Sequence, residues 1–138
     1  MEYLLDTNIC IYIIKKRPAK VLKKFEVLLP GSIAISTITL AELHYGIMKS
    51  SNPKKNQEAL DKFLIPLEIV SFDYSATIEY GKIRAELEKK GIPIGPLDTL
   101  IASHSRSLNV TLVTNNVREF NRIADLKIEN WAVYEDES

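Results

Sequence analysis

Short apolar runs that each end in a polar turn and lead into a helix constrain this chain more than any other feature. Tyr3-Leu4-Leu5 runs into Asp6-Thr7-Asn8, and Ile33-Ala34-Ile35-Ser36 runs into a helix expected over about 38–49. Glu68–Phe72 precedes a long amphipathic helix at Asp73–Lys90, and the β-branched Val110–Thr114 precedes Asn115-Asn116. Brief, continuous apolar runs suit strands buried on both faces, which are joined by helical crossovers and run parallel. The other helices are expected at Ile9–Lys16, from Pro18 through Leu29, and over about 54–64 after the Ser51-Asn52-Pro53 break. The long helix carries Ala76, Tyr80, Ile83 and Leu87 on one stripe and closes at Gly91. Another starts at Pro96 and turns Leu97, Leu100, Ile101 and Leu108 inward, and Lys127–Trp131 is expected as a fifth strand. The pattern predicts an α/β domain over 1–132, with a central parallel β-sheet flanked by helices on both faces, and an acidic C-terminal tail at 133–138.

Composition removes several classes. The single cysteine, Cys10, excludes an internal disulfide framework and a cysteine-based zinc site, and suits a reducing, cytoplasmic setting. The longest apolar run, Ile9–Ile14, falls far short of the ~18 residues of a membrane span, so no membrane role is expected. Met1-Glu2-Tyr3 does not open a secretion signal. Eighteen Lys and Arg balance eighteen Asp and Glu, which argues against tight non-specific nucleic-acid binding. Yet Lys15, Lys16, Arg17, Lys20, Lys23 and Lys24 follow one another with no acid among them. That run reads as a solvated helix face or as a local phosphate-steering patch. No phosphate-binding glycine loop and no nucleophile elbow occurs. His44 and His104 are expected on the apolar sides of their helices, as core residues rather than general bases.

In parallel sheets, ligands bind outside the carboxyl ends of the strands. Four carboxylates can meet there: Asp6, Glu42, Asp98 and Glu119. Each has an ordinary reading by itself. Asp6 can cap a helix, Thr39-x-x-Glu42 spells a capping box, Asp98 suits the positive end of a helix after Pro96, and Glu119 can be a surface acid. Together they form the oxygen-rich set that Mg²⁺ or Mn²⁺ takes, and such an ion can activate water against a phosphodiester. Without a histidine pair or Cys/His spacing, zinc is not expected.

Four segments carry a family resemblance: LLDTNICIYIIKKRP at 4–18, ISTITLAELHYG at 35–46, IRAELEKKGIPIGPLDTLIASHSRSL at 83–108 and LVTNNVREFNRIADLKIENW at 112–131. In this order and spacing the chain resembles the PIN-domain ribonucleases, and among them the VapC toxins of type II toxin–antitoxin pairs. The resemblance implies a PIN-like α/β fold and a Mg²⁺-dependent endoribonuclease, with Mn²⁺ as a possible substitute. It implies Asp6 and Asp98 as metal ligands, Glu42 as a ligand or as the group positioning the attacking water, and Glu119 as completing the catalytic set. Thr7 and Asn8 would orient Asp6. Many members carry an aspartate in a T-x-D pattern after the fourth strand; here Thr114-Asn115-Asn116 stands there. Asn116 brings a second metal into question, and restoring the aspartate is expected to be tolerated and to strengthen metal binding. The resemblance further implies structured RNA as substrate, most plausibly a tRNA anticodon loop, with inhibition of translation. It implies a VapB-like antitoxin, a homodimer, and operator DNA bound only through the antitoxin complex. A receiver-type phosphoacceptor would need an acidic pair after the first strand, where Thr7-Asn8 stands. A PIN-fold interaction module with weak or lost catalysis is the other alternative.

Overall fold

The structure, a computed structural model, describes residues 1–132; the acidic tail expected at 133–138 lies outside the described residues. The elements follow in the order β1 (Tyr3–Leu5), α1 (Thr7–Lys15), α2 (Ala19–Glu26), β2 (Ile33–Ser36), α3 (Thr37–Met48) and α4 (Pro53–Leu64). Then come β3 (Glu68–Val70), α5 (Tyr74–Lys89), α6 (Pro96–Leu108), β4 (Thr111–Val113), α7 (Val117–Phe120) and β5 (Ile128–Glu129). The five strands form one sheet in the order β3-β2-β1-β4-β5, every pairing parallel, as the apolar runs predict. The chain builds outward from β1 to β3, then returns to the other side of β1 for β4 and β5. Strand order therefore reverses between β1 and β4, and that switch point is where such sheets open a crevice.

Helices cover both faces of the sheet. Leu4 and Leu5 are both fully buried and, being neighbours on a strand, face opposite sides. Leu5 packs with Ile9, Ile13, Val21, Leu60 and Phe63 on one face. Leu4 packs with Ile83, Leu87, Ile101, Leu112 and Phe120 on the other. Two cores thus clamp β1, the strand that delivers Asp6. Among the described residues no helix is long and apolar enough to cross a membrane.

Several local expectations are corrected. Helix α2 stops at Glu26, leaving Val27 and Leu29 exposed. The Thr39–Glu42 capping box does not form: Ser36 caps α3 by accepting the Ile38 N–H at 3.0 Å, so Thr39 lies buried inside the helix. Glu42 is thereby left available. His44 is exposed rather than in the core, because Thr39, Leu43 and Ile47 form the inward stripe and His44 sits ~100° past Leu43. Leu97 is exposed as well, since the buried stripe of α6 begins only at Thr99. Helix α7, a single turn, was not expected.

Candidate active site

The acidic pocket is assembled from four elements that meet at the carboxyl edge of β1 and β4. Asp6 leaves β1 and caps α1, its Oδ1 accepting the Ile9 N–H at 2.9 Å. It is only 5% exposed. The Asn8 backbone N–H and the Thr114 hydroxyl also donate to it. Burial pushes the Asp6 carboxyl above its ordinary range, the Thr114, Ile9 and Asn8 hydrogen bonds pull it back, and the charge of Glu42 raises it further. Asp6 is therefore held in one orientation by three donors, and its neighbours make its charge costly.

Glu42 projects from the middle of α3, and the Thr7 hydroxyl donates to its Oε1 at 2.7 Å. Asp98 stands in the first turn of α6, where Pro96 occupies a position whose missing N–H costs nothing. Its carboxyl is pushed up to about 6. Burial is the largest cause, followed by the charge of Glu119 and a hydrogen bond with it, then by Asp6 and Glu42. Asp98 thus holds its proton to a higher pH than an isolated carboxyl would. Asn116 Nδ2 donates to Glu119 Oε2 at 3.0 Å, and the Asn116 N–H donates to Thr114 Oγ1 at 2.9 Å. Beside them, Asn115 Nδ2 donates to the Tyr12 hydroxyl at 2.7 Å and ties α1 to the turn after β4.

All four acids read from the sequence therefore come together, from positions as far apart as 6 and 119. The roles of their neighbours are redistributed. Thr7 fixes Glu42 rather than Asp6. Asn8 serves Asp6 through its backbone, with its side chain exposed. Asn116 bonds Glu119 instead of presenting a lone acceptor to the pocket. The Tyr12–Asn115 bond carries no sequence signal, because nothing local links residues so distant in the chain.

The donors suit a hard divalent cation: carboxylate oxygens whose repulsion a cation relieves. Among the described residues no ion pair reaches any of the four acids. No three His, Cys, Asp or Glu side chains are drawn together there as a closed cage, so an ion would have to pull the carboxylates inward. A groove of about 300 Å³, lined by Ile11, Ile14, Lys15, Leu43 and Ile47, opens beside Glu42.

The PIN domain family model matches residues 3–126. Ribonuclease VapC2 of Rickettsia felis is 52% identical over 132 residues, spanning 95% of this chain and 98% of the relative. The tRNA(fMet)-specific endonuclease VapC of Shigella flexneri is 43% identical over 132 residues, spanning 96% and 99%. The crystal structure of VapBC2 from Rickettsia felis, bound to a DNA fragment from its promoter, contains a chain that superposes with a TM-score of 0.89. That chain is 51% identical, and the match covers 95% of this one and 99% of it.

Proposed function

The chain belongs to the PIN-domain family, among the VapC ribonucleases, and from that premise we propose that it is a Mg²⁺-dependent endoribonuclease toxin that cleaves a tRNA in its anticodon loop and so arrests translation. The observation that carries this reading is the convergence of the four acids, with Asp98 elevated to about 6 by burial first and then by Glu119, Asp6 and Glu42. The mutual repulsion of four acids at a sheet switch point does not support the fold; it suits a cation and a phosphodiester.

Asp6 and Asp98 would hold the ion, with Mn²⁺ an acceptable substitute. Bound there, it would supply charge neutralisation at the scissile phosphate and polarisation of its oxygens. The chain's own groups do the rest. Three donors keep the Asp6 carboxylate from turning away. Thr7 occupies one oxygen of Glu42, leaving the other to accept a proton from the attacking water. The proton on Asp98 has to leave before that residue can act as an anion, so cleavage rises with pH through about 6. Asn116 steadies Glu119 without adding charge. An anticodon loop offers unpaired bases and an accessible backbone, which a shallow acidic pocket can reach.

The resemblance to VapBC assemblies supports a VapB-like antitoxin that covers the pocket, a toxin homodimer, operator DNA bound through the antitoxin, and action in the cytoplasm. The test is cleavage of purified tRNA, with fragment ends sequenced. Cuts in the anticodon loop that need Mg²⁺ or Mn²⁺ and vanish in Asp98→Asn are expected. Folded protein that cuts no RNA with either ion would leave the interaction-module alternative standing.

A further inference from the structure

His104 is fully buried in α6, and the chemistry above makes no use of it. Its Nδ1 lies 2.8 Å from the hydroxyl of Ser36, the residue that caps α3. The ring packs edge-on against Phe72 with centroids 5.4 Å apart, and the Phe72 N–H donates to Thr37 Oγ1 at 3.2 Å. Four side chains thus close a junction between the start of α3, the loop after β3, and α6. Helix α3 carries Glu42, and α6 carries Asp98.

Ser36 Oγ accepts the Ile38 N–H and keeps its own proton to direct at Nδ1, a direction that requires the ring's proton on Nε2. Burial keeps the imidazole neutral by lowering it from its usual range, against the opposing influence of Asp73 and the Ser71 backbone. In that tautomer Nδ1 accepts from Ser36 and Nε2 carries the proton, while the Ser71 backbone approaches the ring as well. The side chain that the ring bonds is the cap of the helix bearing Glu42.

We propose that His104 is a positioning residue: by accepting the Ser36 hydroxyl proton it locks the first turn of α3 against α6 and so sets where Glu42 stands relative to Asp98. This rests on the reading of those acids as the active site. It assigns no contact between His104 and RNA.

The test uses the full chain with His104→Phe, His104→Asn, Ser36→Ala and the double variant His104→Phe/Ser36→Ala. Phenylalanine keeps the stacking on Phe72 and removes the acceptor; asparagine puts a hydrogen-bonding amide back near the Nδ1 position. His104→Phe is expected to lower kcat for RNA cleavage at least tenfold with KM changed less than twofold, and His104→Asn to recover kcat to within threefold of the parent. Ser36→Ala, which also loses the Ile38 cap, should be at least as slow as His104→Phe, and the double variant no slower than Ser36→Ala, because the bond between the two side chains is already gone. Two readouts do not depend on activity. Nitrogen chemical shifts should show His104 Nδ1 unprotonated in the parent, and the Ile38 amide should exchange faster in His104→Phe than in His104→Asn. Parent-like kcat in His104→Phe, equal loss in the phenylalanine and asparagine variants, additive single losses, or a protonated Nδ1 would each overturn the proposal. If His104→Phe does not fold, the ring shifts of the parent and the kcat of His104→Asn decide it: a protonated Nδ1, or an asparagine variant slowed more than threefold, overturns the proposal. If the parent cuts no RNA, the functional reading falls, while ring shifts and Ile38 exchange still judge the junction.

Discussion

The two ends of α6 treat charge in opposite ways. In its last turn Arg106 donates from Nη2 and Nε to Glu79 Oε2 at 2.6 and 2.9 Å, and from Nη1 to the Ala124 carbonyl at 3.0 Å. The pair is largely sheltered, at 16% and 25% side-chain exposure. In the first turn Asp98 faces Glu119, Asp6 and Glu42, with no cation paired to it among the described residues. The helix dipole favours both residues where they stand. The difference lies in their neighbours, and it separates a place where charge supports the fold from one where the fold supports charge.

The largest effect expected is on chemistry. Asp98→Asn or Asp6→Asn should reduce RNA cleavage at least a thousandfold, about 4 kcal/mol of transition-state stabilisation, while thermal unfolding shows the metal-free protein unchanged or more stable. A large stability loss in either variant would abolish the distinction between the two ends. Next comes the opposite substitution. Arg106→Met strands Glu79 in a sheltered site and should lower unfolding free energy by about 2–3 kcal/mol in urea titration, with activity per folded molecule retained.

Smaller effects sharpen the acidic end. Glu119→Gln should slow cleavage about tenfold, or ~1.4 kcal/mol. The sequence expectation that Asn116→Asp would be tolerated changes with the geometry. The substitution removes the 3.0 Å donor to Glu119 and sets a second carboxyl against it. Activity should fall about tenfold at low Mg²⁺ and recover as Mg²⁺ rises, which a titration of cleavage rate checks. The smallest effect is on pH dependence. With its folded-state value raised from 3.8 to about 6, Asp98 contributes stability below pH 3.8 that is lost as pH rises to about 6. Because the group is half-buried and screened, that loss is about 1 kcal/mol. His104, lowered from 6.5, acts in the opposite direction by destabilising the fold as pH falls through 6.5. The difference between the parent and Asp98→Asn isolates the carboxyl: stability of the variant should fall less than that of the parent from pH 4 to 6.5.

The strands β1 and β2 were legible because each is a compact apolar run closed by a residue that caps a helix. Asp6 and Ser36 show this directly. The four acids were legible because parallel topology brings strand ends together whatever their separation in the chain. Faces of α3 were not. It is apolar over much of its circumference, so periodicity could not place His44, and Thr39–Glu42 imitated a cap one turn beyond the real one at Ser36. Helix α7 has four residues, too few for a period, although it delivers Glu119. Partnerships across the fold, such as Thr7 with Glu42 or Ser36 with His104, depend on side-chain direction after packing, which spacing does not encode.

The central place of β1 has a consequence for synthesis. Tyr3 pairs with Ile33 on one side but with Thr111 on the other, so β1 waits for its second neighbour until more than a hundred further residues have been made. Asp98 and Glu119 also emerge late, so Asp6 leaves the ribosome long before the carboxylates it must meet. Pairings so distant in sequence close slowly. A chain still being translated therefore lacks the complete acidic cluster, and its synthesis ends before that cluster can form.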